Sequence, residues 1–133
     1  MQNPEPVSAQ QLRDALAALL SGANLDPPLA EQQALAARGE RGVLAELHVW
    51  LVVGIALRAT ERCLGPRPSE PSQRTAFDLA LRARVTAGYP GLLKAQRDWD
   101  PTKGYKFGTY ASFWIRQELR RAGLSSPPGS SEA

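Results

Sequence analysis

One long run of apolar residues at helical spacing, in the middle of the chain, constrains the fold most. Through residues 43–58 apolar side chains recur at i, i+3, i+4 and i+7. The members of this run are Val43, Leu44, Leu47, Trp50, Leu51, Gly54 and Ile55. The other face is also apolar, with Val52, Val53 and Ala56. The run therefore predicts a central, largely buried helix that ends near residues 63–65.

Capping and stop signals predict further helices on both sides. Ser8 is typical of an N-cap, and Gly22 follows the first apolar stripe as a stop signal. A short second helix is predicted over about 28–37, a fourth from about 71, and a last one over about 108–122. Because Pro90 lacks an N–H, we expect the fourth helix to be interrupted over 88–91 and to resume over 92–99.

The absence of strand alternation completes the fold prediction, an all-α compact bundle of about four to five helices. We expect the bundle to occupy residues 9–122. A flexible N-terminus over 1–8 and a disordered Ser/Pro/Gly-rich tail over 123–133 flank it.

Composition argues against several classes of function. The chain has 133 residues, a net charge of +3 and one cysteine, Cys63, which rules out an internal disulfide framework and leaves a Cys-based zinc site without ligands. No signal sequence is recognisable and the apolar stretch 49–57 is too short to span a bilayer, so we expect a cytoplasmic protein with no membrane contact. His48 is isolated, and Asp98 and Asp100 diverge around Trp99. We therefore expect no catalytic residue, no metal, no cofactor and no enzymatic activity.

Aromatic and basic residues concentrate together in the last third of the chain. Aromatic faces stack on bases and cations neutralise phosphates, so this mixture is typical of single-stranded nucleic-acid binding. Projection of the last helix places one set on its outer face: Thr109, Phe113, Arg116, Gln117 and Arg120. Ala111, Ile115, Leu119 and Ala122 share the inner face, with Tyr110 and Trp114 at the rim. A core role for the aromatics and a solvated role for the cations is the alternative interpretation.

The stretch from Gly91-Leu-Leu-Lys-Ala95 through Trp99-Asp-Pro-Thr-Lys-Gly-Tyr-Lys-Phe-Gly-Thr-Tyr-Ala-Ser-Phe-Trp-Ile-Arg-Gln117 closely resembles the signature of primary-type bacterial sigma factors. Leu51-Val-Val-Gly-Ile-Ala56 is similar to the preceding helix of that family, and residues 28–36 are similar to the region before it. The resemblance covers about residues 10–122 and implies the fold of sigma domain 2. It also implies two partners, the largest-subunit coiled coil of core RNA polymerase and the non-template strand of promoter DNA.

The resemblance implies a role for each residue of a DNA-binding set. Tyr105, Phe107 and Tyr110 would surround a flipped adenine of the minus-ten element, with Trp99 and Lys103 nearby. Phe113 and Trp114 take the places of a tryptophan pair that lies at the edge of the DNA duplex. Gln117 takes the place of a residue that contacts a base pair in the double-stranded DNA upstream. Lys106 and Arg116 match positions near phosphate, and Thr109 and Arg120 complete the set.

The polymerase-binding positions implied by the resemblance are Leu51, Thr86, Ala87, Tyr89 and Leu92. They depart from the family, which usually has Gln, Glu and Asn where this chain has Thr86, Ala87 and Tyr89, followed by Pro90.

Three further positions depart from the family. This chain has Phe113 where the family has tryptophan, Arg120 where it has threonine, and Gly108 where it has an N-cap serine. Nothing after Ala122 resembles the later sigma domains, so we expect a fragment or a one-domain relative. Two other functions stay open: a degenerate sigma-like module that regulates polymerase or another partner without reading promoters, and a general single-strand binder.

Overall fold

A computed structural model describes residues 7–125, which contain helices and no strand, as the sequence predicts. The helices are α1 Ala9–Leu20, α2 Leu29–Ala37, α3 Arg41–Leu47, α4 Val49–Leu64, α5 Pro71–Asp98 and α6 Phe107–Arg121. A 3₁₀ turn, Pro101–Lys103, joins α5 to α6. The described residues thus form six α-helices, slightly more than the predicted four to five.

Helix α1 begins and ends where the capping signals predict. The Ser8 hydroxyl accepts a hydrogen bond from the Gln11 N–H at 3.1 Å, and the Gln11 side-chain oxygen accepts one from the Ser8 N–H at 2.9 Å. This reciprocal capping box satisfies two N–H groups that the first turn leaves without partners. At the other end Gly22 adopts a φ of 75°, which a residue with a Cβ reaches only with strain.

The predicted central helix is bent into two, α3 and α4, at an angle of 42°. The cause lies at His48, whose ring Nδ1 is 2.8 Å from the Leu44 carbonyl oxygen and occupies the acceptor that its own N–H would use in a helix. The His48 N–H donates instead to Ala45. Across residues 7–125 no single helix is long and apolar enough to cross a membrane, and only α3 and α4 together, despite their bend, meet those criteria.

The predicted interruption at Pro90 does not occur, because α5 continues through it to Asp98. Pro90 and Thr86 both lie on the exposed side of the helix, where water can reach the Thr86 carbonyl that the missing N–H would have paired. On the inner side Gly88 and Gly91 face α6. A Cβ built on Gly91 would lie only 2.5 Å from the Trp114 carbonyl oxygen, so the two backbones touch. Helix α5 is therefore continuous through Pro90, and one residue later it packs directly on the backbone of α6.

The inner face of α6 lies in the core, as predicted for Ala111, Ile115 and Leu119. Ala122, assigned to the same face, is exposed because the helix ends at Arg121. Lys106 is the N-cap of α6, so Gly108 lies inside the helix and not at the cap.

The predicted terminal segments lie partly outside the described residues, namely over 1–6 and 126–133. Of their described residues, Val7 is buried and Leu124 packs against the core.

Candidate nucleic-acid interface

Four aromatic rings form a continuous row along one side of α6. We call Tyr105, Tyr110, Trp114 and Phe113 the aromatic row. Ring centroids are 6.0 Å apart between Tyr105 and Tyr110, 6.3 Å between Tyr110 and Trp114, and 5.0 Å between Trp114 and Phe113. The last two pairs meet edge to face, the geometry that aromatic quadrupoles favour. Each ring therefore fixes the orientation of the next.

Phe113 is the most accessible member of the aromatic row, with 56% of its surface exposed. Tyr105, Tyr110 and Trp114 are half-buried. The Lys94 ammonium lies 4.5 Å from the centre of the Trp114 ring and covers one of its faces. An exposed phenyl ring that fills no part of the core is available to stack on a ligand.

A second aromatic group, the inner aromatic cluster of His48, Trp99 and Phe107, lies beneath the row. Phe107 stands 4.7 Å from His48 and 5.7 Å from Trp99 between ring centroids. Both Trp99 and Phe107 are fully buried, so the prediction that they face DNA is wrong. Phe107 has the same helical phase as Ala111 and Ile115, which points it inward, and the Trp99 indole N–H donates to the Tyr105 carbonyl at 3.3 Å. These rings support the aromatic row from below.

A buried glutamine attaches the first turn of α6 to the loop before α2. Gln32 is fully buried, accepts a hydrogen bond from the Phe107 N–H at 2.8 Å and donates one to the Pro27 carbonyl at 2.8 Å. It satisfies an N–H that the start of a helix leaves unpaired. Asp26 adds an ion pair with Lys106, 2.9 Å from carboxylate to ammonium. Neither Gln32 nor Asp26 was predicted, since no local pattern links them to residues so distant in sequence.

His48, which is isolated in the sequence, is a core residue. Its ring is fully buried, and burial lowers its pKa from the ordinary value near 6.5, outweighing the opposite effects of the Leu44 carbonyl and of Asp26. The neutral ring donates its Nδ1 proton to the Leu44 carbonyl, which leaves Nε2 at 3.6 Å from an Asp26 oxygen. The histidine thus packs as a neutral aromatic against Phe107.

At the C-terminal half of α6 four arginines surround one small hollow of about 90 Å³, which we call the arginine hollow. Arg116 and Arg120 come from α6, and Arg58 and Arg62 from α4. Arg62 donates to the Ser125 carbonyl and Arg120 to the Gln117 side chain. Within residues 7–125 no carboxylate pairs with Arg58 or Arg116.

Arg58 and Arg62 were not predicted as site residues, although their i, i+4 spacing puts them on one face of α4. The other predicted DNA-binding positions also reach the surface. Four are exposed, namely Lys103, Thr109, Arg116 and Arg120, and Gln117 is half-buried. The aromatic row, the outer face of α6 and the arginine hollow therefore form one connected surface.

In the described part of the chain no group of three His, Cys, Asp or Glu side chains could hold a metal ion.

Comparison with known proteins identifies the relatives of this chain. It is 36% identical over 104 residues to RNA polymerase sigma factor SigA of Lactococcus lactis subsp. cremoris, which covers 74% of this chain and 24% of the relative. It is 39% identical over 98 residues to SigA of Listeria monocytogenes, covering 69% and 22% of the two chains. To SigA1 of Synechococcus elongatus it is 33% identical over 102 residues, covering 75% and 22%. The chain is homologous to part of the bacterial sigma factors.

The homology is limited to a segment, because the chain spans only 22% to 24% of the length of these sigma factors. No protein-family profile and no solved structure matches the chain.

Of the positions that the sigma resemblance suggested for polymerase binding, four reach the surface to some extent. Thr86 is exposed, and Leu51, Ala87 and Tyr89 are half-buried. Leu92 is fully buried, so its predicted contact with a partner is wrong. It lies on the inner side of α5, in the core that also contains Ile115 of α6.

Proposed function

We propose that this chain is a sigma-like transcription initiation module that binds promoter DNA through α6 and RNA polymerase through α5. The aromatic row carries the DNA part of the proposal, because it ends in an exposed Phe113 that continues into a surface rich in arginine. The homology to sigma factors also supports a role in transcription initiation.

Phe113 and Tyr110 stack unpaired bases of the non-template strand at the minus-ten element. Base–aromatic stacking contributes about 1–3 kcal/mol per base, which is comparable to the few kcal/mol needed to unstack and unpair one base. Trp114 holds the row in place, since its ring is fixed by Tyr110, Phe113 and Lys94. DNA opening on this surface is therefore a matter of binding energy and needs no ATP.

The cations beyond Phe113 bind the phosphates on either side of the unpaired bases. Arg58 and Arg116 are free of ion pairs within the described part of the chain, so phosphate is their available counter-charge. Gln117 accepts from Arg120 at 2.8 Å through its side-chain oxygen and keeps its amide N–H groups for a base edge. Lys106 contributes less, because Asp26 already neutralises it.

The polymerase contact involves an exposed face of α5. Five residues spaced four, three, four and three apart are all exposed: Leu79, Ala83, Thr86, Pro90 and Leu93. We call this set the α5 stripe. Alternating spacings of three and four present one seam to another helix, as in coiled coils. The α5 stripe carries no charge, so a helical partner would be held by apolar packing and not by the polar contacts of the family.

The replacement of polar by apolar residues on α5 favours one alternative function. In it the chain is a sigma-like module that regulates polymerase or another partner without reading promoters. Thr86, Ala87 and Tyr89 replace the polar residues expected there, and this is the observation in its favour.

Fluorescence anisotropy with a labelled TATAAT strand and a scrambled strand tests the DNA function. Phe113→Ala should weaken TATAAT binding about 5- to 150-fold, the equivalent of one lost base stack. Phe113→Trp should retain it. Leu20→Ala, at a side chain on α1 that is 71% exposed, is the matched control and should change nothing. Equal affinity for both strands would refute base reading and leave a general single-strand binder.

Co-purification with core RNA polymerase, with and without promoter DNA, tests the second contact. Leu93→Asp in the α5 stripe should abolish retention, and Leu20→Asp should not. Retention of polymerase without any preference for TATAAT would favour the alternative function, and no retention of the unmodified chain would refute the polymerase contact.

A further inference from the structure

The α5 stripe has a pattern that is nearly the same when read in either direction. Leu79 lies seven residues before Thr86 and Leu93 seven residues after it, while Ala83 and Pro90 lie three before and four after. At 3.6 residues per turn the five side chains fall within an arc of about 80°. Leu79 is 64% exposed and Leu93 40%, so both ends of the stripe reach the surface of the described part of the chain.

A helix face with this symmetry is complementary to itself. When two copies of such a face meet antiparallel, a twofold axis passes through the middle residue and each contact occurs twice. Here the axis passes through Thr86 and brings Leu79 of one copy beside Leu93 of the other. We propose that a second copy of this chain covers the α5 stripe in an antiparallel, twofold-symmetric dimer.

The surface shape supports this pairing. Leu79, Arg82, Ala83 and Thr86 line an open hollow on α5. Their spacing of i, i+3, i+4 and i+7 is that of a hole that receives one side chain of a facing helix. Around the proposed axis, residues 86–93 of the second copy run along this hollow and Pro90 lies over its centre. Three of the four residues that line the hollow, and the side chain that fills it, thus belong to the α5 stripe.

The flanking residues are compatible with the antiparallel direction. In such a dimer the same flank of both helices meets, so position 82 of one copy lies near Tyr89 of the other. On the opposite flank Lys94 faces the second copy near Ala76 and Ala80. No two like charges are brought together in this register.

The size of the interface indicates a weak dimer. The rise from Leu79 to Leu93 is about 21 Å of helix, so the contact is smaller than the about 800 Å² per partner of a standard interface. We expect dimers at high protein concentration and monomers when dilute. The dimer does not depend on the proposed function, but it would hide the face that a polymerase coiled coil needs, so the two contacts exclude each other.

Disulfide cross-linking tests the register. The background is Cys63→Ser, in which the introduced hydroxyl keeps an acceptor for the Arg84 guanidinium that lies 3.3 Å from the native sulfur. One cysteine is then introduced at a time. Thr86→Cys places two sulfurs at the twofold axis, where the Cα atoms of packed helices come within bridging distance, and should cross-link rapidly on mild oxidation.

Two controls fix the direction of the helices. Ala76→Cys should not cross-link, because its two copies lie about 30 Å apart, whereas a mixture of the Leu79→Cys and Leu93→Cys chains should. Equal cross-linking at positions 76 and 86 would overturn the proposal, since a parallel or random encounter gives that result.

Sedimentation equilibrium gives a second, independent readout. Leu79→Glu and Leu93→Glu should each weaken self-association at least tenfold, and Leu20→Glu on α1 should leave it unchanged. Circular dichroism checks that each variant is folded, as expected for exposed positions. A chain that stays monomeric at millimolar concentration, or that associates equally well with Leu93→Glu, overturns the dimer whatever the DNA and polymerase assays give.

Discussion

The contact between Gly91 of α5 and the backbone of α6 provides the sharpest test of the fold. We predict that Gly91→Ala destabilises the protein although alanine is the better helix former. A Cβ at this position would lie 2.5 Å from the Trp114 carbonyl oxygen, 2.6 Å from its carbon and 2.7 Å from the Ile115 Cα. All three atoms belong to the backbone, so no side chain can rotate away to make room.

The magnitude follows from the geometry. An ordinary contact begins near 3.4 Å, so the 2.5 Å approach requires α5 and α6 to separate by about 0.9 Å. Overpacking of this kind costs about 3 kcal/mol or more when the neighbour cannot yield. Alanine recovers about 1 kcal/mol of helix propensity. We therefore expect a net loss of about 2 kcal/mol, which lowers Tm by about 6–10 °C in a chain of this size.

Thermal unfolding followed by circular dichroism measures the effect, with two glycine controls. Gly42 in α3 has nothing within 4 Å of a built Cβ, so Gly42→Ala should leave stability unchanged or raise it. At Gly88 the nearest atom is the Ile115 Cγ2 at 3.1 Å, which can shift, so Gly88→Ala should fall between the other two. If Gly91→Ala melts at the temperature of Gly42→Ala, the helices do not touch as described.

Three further predictions follow from the two aromatic layers and the arginine hollow. Phe107→Ala should cost about 3–5 kcal/mol in urea unfolding, as a buried aromatic does, whereas Phe113→Ala should cost less than about 1 kcal/mol because its ring is exposed. Burial lowers the pKa of His48 in the folded protein, so the unfolded state takes up the proton first as the pH falls. The free energy of unfolding should therefore decrease as the pH drops below about 6.5. His48→Gln should make the free energy of unfolding less dependent on pH in this range. Arg58→Ala should weaken TATAAT and scrambled strands equally and reduce the salt dependence of binding by about one phosphate contact; a loss confined to one strand would contradict a phosphate role.

Local patterns predicted the helices whose ends carry their own signals. Ser8, Gly22 and the apolar phase of α6 are examples, because each depends on residues within one or two turns. The errors arise where distant residues decide. Pro90 signals a break, yet α5 is continuous through it and packs on α6 at Gly91. The bend at His48 results from one side chain taking the Leu44 carbonyl, which the apolar periodicity does not register.

The candidate site shows the same division between local and distant causes. Helical phase placed Phe113, Arg116 and Arg120 on the outer face of α6, where they lie. Trp99 and Phe107 precede or begin that helix. Phe107 packs against the distant His48, and Trp99 packs against Phe107. Arg58 and Arg62 join the site only because α4 packs beside α6, a contact between residues about 60 positions apart.

The division of the aromatics into two layers has a consequence for how the surface works. Stacking on a base is strongest when the ring is already held in its bound orientation, since ordering a free side chain opposes binding. The inner aromatic cluster and Gln32 hold the first turn of α6, and the edge-to-face contacts of the aromatic row transmit that fixed position to Phe113. If the proposed DNA function holds, removing the Gln32 amide should affect affinity for the TATAAT strand as well as stability, although Gln32 itself is fully buried. A Gln32→Leu chain that loses stability but binds the TATAAT strand with unchanged affinity would show that Phe113 orients itself without this support.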